Sequence, residues 1–194
     1  MTEPADRPPR YAAVVLPIYA SPPHEVVFVE RARHLRRHAG EIAFPGGAVD
    51  AADGGDHARA ALRELHEEIG VPPAAVELLA SLRPIRQRSN VFTVTPFVGV
   101  VAAATPLLVD RNEAAAAHHV PLAAILAEGA VHRAFEPLPD RLLDTYVFDY
   151  GPLHVWGLTG RILFDFVMRL QDEGSPLRAA LDRALVDFGP ARRP

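Results

Sequence analysis

The sequence predicts an α+β fold, on three observations. Runs of β-branched and aromatic residues outnumber helical patterns, one well-bounded amphipathic segment lies between them, and two more close the chain. The length, 194 residues with 49% hydrophobic and 23% charged, suits one domain at roughly 100–200 residues each. A chain of that size hides about 70% of its unfolded surface. Residues 1–10, polar and proline-rich, are expected to be a flexible N-terminus, and residues 11–194 a single domain.

Tyr11–Ala20 and Glu25–Glu30 are apolar β-rich runs, and Ser21-Pro22-Pro23-His24 between them reads as the turn of a hairpin. Arg31–His38 is dense in Arg and His. It leads through Glu41–Phe44 to a break at Pro45-Gly46-Gly47, and Asp50–Asp56 reads as a loop. His57–Ile69 is the best-defined helix, with Asp56 as N-cap and Gly70, Pro72 and Pro73 as stop signals. Strands follow at Val76–Leu82 and Val91–Ala102, then a strand-to-helix passage at Ala114–Ala127 and strands at Val131–Phe135 and Thr145–Asp149. Leu158, Ile162, Phe166 and Leu170, spaced four apart, predict a helix over Gly157–Leu170, and a shorter one is expected near Pro176–Val186. Ser89–Val109 carries no charge and is long enough to raise the question of a membrane span. Pro96, Gly99, Pro106 and the β-branched residues make it a buried strand followed by a loop, so no membrane contact is expected.

Composition narrows the function. The 20 basic residues, all arginine, stand against 24 acidic ones, a net charge of −4. That total argues against a nucleic-acid binder, which normally carries a basic face. With no cysteine, disulfides, thiolate zinc sites and cysteine nucleophiles are excluded. The segment MTEPADRPPR lacks an apolar core, so a cytoplasmic location is expected.

The helix carries charges in awkward places. It ends Arg63-Glu64-Leu65-His66-Glu67-Glu68-Ile69-Gly70. At about 100° per residue, Glu64, Glu67 and Glu68 share about a third of the circumference, opposite Ala58, Ala61, Leu62, Leu65 and Ile69. One reading is an ordinary solvated acidic face. Against it, like charges at this spacing repel by a few tenths of a kcal/mol per pair. The last turn also disfavours carboxylates by roughly 0.3–1 kcal/mol. A bound divalent cation would relieve both, and an oxygen-only ligand set points to Mg²⁺ or Mn²⁺.

These residues also resemble a family. Gly47…Arg63-Glu64-Leu65-x-Glu67-Glu68-x-Gly70-Val71 is similar to the Nudix box, G-x5-E-x7-R-E-U-x-E-E-x-G-U with U aliphatic. The second half matches at every fixed position. The first half reads Gly47-x5-Asp53-x9-Arg63, with Asp for Glu and a longer loop. Upstream, Arg31-Ala32-x3-Arg36-x3-Gly40-x3-Phe44-Pro45-Gly46-Gly47 resembles the added signature of coenzyme A pyrophosphatases within that family, with Val29 where threonine is usual. Val94–Gly99, Val120-Pro121-Leu122 and Trp156–Thr159 are similar to the same subgroup.

The resemblance implies an α/β/α sandwich, a mixed sheet between helices, with the box as loop–helix–loop. It also implies hydrolysis of a nucleoside diphosphate derivative. Glu64, Glu67, Glu68 and a carbonyl near Gly46 would then hold the metal, while Arg63 orients a box glutamate. The general base is a box glutamate or Glu113 from a distant loop. Arg31 and Arg36 are the expected pair for the 3′-phosphate of coenzyme A. Glu41 joins the metal shell or fixes an arginine, and Gly40 and Gly47 shape the substrate loop. The histidines at 34, 38, 118 and 119, with Phe44 and Trp156, are expected to be packing or surface residues. The expected reaction is Mg²⁺- or Mn²⁺-dependent cleavage of coenzyme A to 3′,5′-ADP and 4′-phosphopantetheine, by a monomer or homodimer. The alternatives are a Nudix enzyme for ADP-ribose or NADH, and a non-catalytic ligand sensor.

Overall fold

The computed structural model describes residues 10–87, 92–139 and 141–189. The expected flexible N-terminus, residues 1–10, lies outside them save for Arg10. Along the chain run β1 (Arg10–Tyr19), β2 (Glu25–Arg31), β3 (Ile42–Ala43), β4 (Gly46–Ala48), α1 (His57–Ile69), β5 (Val76–Ser81), β6 (Ile85–Arg86) and β7 (Phe92–Val101). There follow β8 (Ala114–Pro121), α2 (Leu122–Ile125), β9 (Val131–Leu138), β10 (Arg141–Tyr150), β11 (Leu153–Val155), α3 (Gly157–Gln171) and α4 (Pro176–Asp187).

The first eight strands form a mixed sheet with the path β3-β2-β1-β7-β5; β4 pairs with β1, β6 with β7 and β8 with β2. β1 and β7 run parallel over their full length, Arg10↔Phe92 to Tyr19↔Val101, and the other pairings are antiparallel. The β1–β2 hairpin pairs at Ile18↔Val26 beside its turn. Further along, β4 takes the β2 side of β1, at Ala12↔Ala48 through Val14↔Gly46. The sequence reading took Pro45-Gly46-Gly47 only as a break, because two glycines carry no strand pattern. β9, β10 and β11 form a separate antiparallel sheet.

Alternation along the central strands builds two cores. Ala13, Val15, Tyr19, Val27 and Val29 face Ala60, Ala61, Leu65 and Ile69 of α1. Leu16, Ile18, Val26 and Phe28 face the opposite layer, where Phe148, Ile162, Phe166 and Leu181 pack. Each fully buried Leu, Ile or Phe contributes roughly 1.5–3 kcal/mol. The side chain of α3 nearest the second sheet is missing for a reason: a Cβ at Gly160 would lie 2.0 Å from the Tyr146 carbonyl oxygen. Among the described residues, no helix is long and apolar enough to cross a membrane. The charge-free stretch enters the sheet as β7 instead.

Candidate active site

Helix α1 delivers the glutamates, and both of its ends are fixed. The Asp56 carboxylate accepts from the N–H groups of Ala58 (2.8 Å) and Arg59 (3.2 Å), satisfying donors the first turn cannot. Gly70, at φ 73°, ends the helix in the left-handed region. There Leu108 N donates to Ile69 O (2.8 Å) and Asp110 N to Glu68 O (2.9 Å). This docking carries the next few residues to the cleft, because Glu113 N donates to Asp110 O and Glu113 O accepts from Ala32 N. A distant loop thereby gains a fixed place beside the helix.

Carboxylate oxygens of Glu64, Glu68 and Glu113 all lie within 4.8 Å of one another. They line a cleft of about 500 Å³ with Arg31, Leu35 and the backbone of Gly46–Ala48. Glu68 is 3% exposed. Burial pushes its carboxyl up to about 8, opposed by the Arg31 guanidinium and the Gly46 N–H. Those two partners lie at 3.8 Å (Arg31 Nη1) and 3.2 Å (Gly46 N). Burial also raises Glu64, with Arg63 opposing. Three close carboxylates in low dielectric are costly when all are ionised. Hard oxygen donors at this spacing suit a divalent cation such as Mg²⁺ or Mn²⁺.

Arg63 organises the rim. Its Nε and Nη2 donate to Oδ1 and Oδ2 of Asp53, both at 3.0 Å, and Nη2 also reaches Ala48 O (3.1 Å). Nη1 donates to Glu64 Oε1 (2.9 Å) and Glu67 Oε2 (2.8 Å). Asp53 is 2% exposed, and the Arg63 guanidinium, followed by the Asp50 N–H, holds its carboxyl below the usual range. Hydrogen bonding to Asp53 in turn raises Arg63. Glu67, by contrast, is half-exposed and sits at the cleft mouth against Arg63.

Two glycines let the floor come close. A Cβ on Gly46 would lie 2.3 Å from Ala13 O, and one on Gly47 would lie 2.4 Å from the Glu64 carboxyl carbon. Gly40 N donates to Arg31 O and Glu41 O accepts from Arg31 N, closing the arginine-rich loop on β2. The Glu41 carboxylate meets His38 Nδ1 at 2.8 Å and does not line the cleft. Arg31 lines the cleft, whereas Arg36 is exposed, outside its lining and without an ion pair among the described residues. The structure thus separates the two arginines that the sequence grouped. Phe44 is buried and stacks on Phe28, His34 meets Asn112 O, and His118 and His119 meet Glu30 and Glu25.

Sequence reasoning missed two contacts. The loop insertion obscured Asp53 as the holder of Arg63, although a carboxylate near that register was a signal. Nothing local announced that Arg31 reaches Glu68, since the two lie on different elements and the β2–β8 register shifts at Glu30/Arg31.

The chain matches the NUDIX domain over residues 8–140. It is 37% identical over 161 residues, 83% of either chain, to the protein named Uncharacterized Nudix hydrolase NudL of Salmonella paratyphi B, and equally to that of Salmonella enteritidis. The solved MutT/nudix family protein of Enterococcus faecalis shares the fold at TM-score 0.61 and 18% identity, over 93% of this chain and 70% of that one. The MutT protein of Methanosarcina mazei does so at TM-score 0.52 and 19% identity, over 87% of this chain and 100% of that one. With the glutamate cluster seated on a helix whose box reads Arg63-Glu64-Leu65-His66-Glu67-Glu68-Ile69-Gly70, these matches make the chain a member of the Nudix hydrolase family.

Proposed function

We propose that the protein is a coenzyme A diphosphatase dependent on Mg²⁺ or Mn²⁺. The observation that carries this reading is the convergence of Glu64, Glu68 and Glu113 in a cleft that also holds the Arg31 guanidinium. Such a site pairs a seat for a cation with a cationic donor for phosphate oxygen. The extended signature from Arg31 to Gly47 and the matching segments further along support coenzyme A as the substrate.

Glu64 and Glu68 would hold the cation, with a Gly46 backbone oxygen as a further donor and Glu67 at the mouth. A divalent cation there supplies charge neutralisation and orientation of the diphosphate. Arg63 keeps Glu64 and Glu67 in place while Asp53 keeps Arg63 in place. Arg31 donates to a diphosphate oxygen. Glu113 takes a proton from water as its oxygen attacks one phosphorus. The bond from that phosphorus to the bridging oxygen breaks, and the bridging oxygen leaves on the second phosphate. Arg36, exposed one residue beyond cleft-lining Leu35, draws the polyanionic substrate toward the mouth.

The test is product identification after incubating coenzyme A with the protein and Mg²⁺. The expected products are 3′,5′-ADP and 4′-phosphopantetheine. Cleavage of ADP-ribose or NADH with coenzyme A left intact would overturn the substrate assignment. A solved NUDIX domain from Shewanella oneidensis NrtR, similar in fold at TM-score 0.50 and 19% identity, was crystallised with ADP ribose, so that compound belongs in the panel.

A further inference from the structure

A second cleft of about 470 Å³ adjoins the first. Its volume falls in the roughly 300–1,000 Å³ range of small-molecule sites. The two clefts share Ala48 and Asp50. One continuous stretch of chain, Gly46 to Ala51, therefore walls both of them. A ligand whose diphosphate lies beside Arg31 in the first cleft has the second cleft as its immediate neighbour.

The chemistry of this cleft differs from that of the first. Three rings line it, those of Tyr11, His57 and Phe92. Tyr11 is 43% exposed although it is a large apolar ring on the central strand. Its centroid lies 5.3 Å from that of His57, tilted by 46°. The imidazole does not swing freely, because Nδ1 is 2.8 Å from the hydroxyl of Thr95, a buried residue of β7. The Arg10 guanidinium lies 4.6 Å over the Phe92 ring centroid. A guanidinium stacked by its face keeps its in-plane N–H donors for another acceptor. Among the described residues no carboxylate pairs with Arg10, and the parallel pairing of Arg10 with Phe92 sets the two residues side by side. Rings beside a stacked guanidinium that has no carboxylate partner among the described residues make a receptor for a flat aromatic group that carries a phosphate.

We infer that the second cleft, built from Arg10, Tyr11, His57 and Phe92, binds the nucleoside end of the substrate, the base against the rings and a phosphate on its ribose against Arg10. This rests on the diphosphatase reading above and assigns one arm of that substrate. The base stacks against Tyr11 and His57, and the Arg10 fork takes the ribose phosphate. The other arm of the substrate leaves by the first cleft.

The products contain no diphosphate linkage, so their binding is readable without turnover. Calorimetric titration of the full-length protein in Mg²⁺ with 3′,5′-ADP and with 4′-phosphopantetheine separates the two arms. Tyr11→Ala and Arg10→Ala are each expected to weaken 3′,5′-ADP about tenfold, the usual scale for loss of a stacked base or a charged contact. Neither should change 4′-phosphopantetheine binding more than twofold. Arg10→Ala should also shrink the preference for 3′,5′-ADP over 5′-AMP. Unchanged 3′,5′-ADP affinity in both variants, equal weakening of both products, or no 3′,5′-ADP binding by the wild type would overturn the inference. The two variants substitute surface residues, and a melting curve confirms that each is folded before titration. Failure of the wild type to cleave coenzyme A would sink the diphosphatase reading separately, whatever the titrations give.

Discussion

Glu68 concentrates the electrostatic tension of the site in one side chain. Its folded value, about 8, stands above the ordinary 4.5 because burial penalises the charge. The folded state therefore binds this proton more tightly than the unfolded chain does. The associated stability is complete below the unfolded value and is lost as pH rises through about 8. For the cation-free protein, melting temperature is expected to fall over this window, with a full effect on the order of a few kcal/mol. Glu68→Gln should flatten that dependence, melt higher than the wild type at pH 8.5 without divalent cation, and lose cation-dependent turnover by at least a hundredfold. Parallel melting profiles for the two proteins would count against this account. The charges of Glu64, Glu67 and Glu68 were legible in the sequence, since their spacing on a helix forces them together. Their unequal burial was not, because it depends on Arg31 and Gly46, which arrive from other strands.

At the scale of elements, α1 was readable because its determinants are local. Asp56, the apolar stripe and Gly70 act within a few residues, and the helix spans His57–Ile69. Strand β4 was hidden because what makes it a strand is the partner. Ala13 and Val14 pair with Gly47 and Gly46, and a side chain at 46 would strike the β1 backbone while one at 47 would strike the Glu64 carboxylate. Gly47→Ala tests this closeness. The added methyl must displace the Glu64 carboxylate, so kcat should drop by about tenfold to a thousandfold, the scale of a misplaced catalytic group. Melting temperature should shift by only a few degrees, because the flexible end of Glu64 yields before the backbone does. A fully active Gly47→Ala enzyme would show that the Glu64 position is not held by this contact. Glu113 belongs with β4 as a non-local feature. It reaches the site through loop 108–110, whose donors cap the last carbonyls of α1.

Across the whole molecule, the parallel pairing of β1 with β7 closes the central sheet over more than 80 intervening positions in sequence. No periodicity within either strand specifies that partner, which is why the strands were legible and the strand order was not. The charge pattern is likewise a global property. A net −4 argues against polyanions as a class, yet four arginines gather in Arg31–Arg37, the first of them lining the cleft. If Arg36 guides substrate by long-range attraction, Arg36→Ala should lower kcat/KM for coenzyme A several-fold at low ionic strength. The difference from wild type should fade as salt shortens the screening length to about 8 Å or less. A deficit independent of salt would instead make Arg36 a direct contact.

The ridge at Ala48 and Asp50 separates the two clefts by the thickness of one chain. Substitutions there cannot tune one cleft in isolation, because each face of the ridge is the wall of the other. Changes that adjust which ligand is held will carry a penalty or gain in turnover, so mutational paths through this segment should be strongly epistatic. Paths through the rings on β1 and β7 start from the far wall and avoid that entanglement.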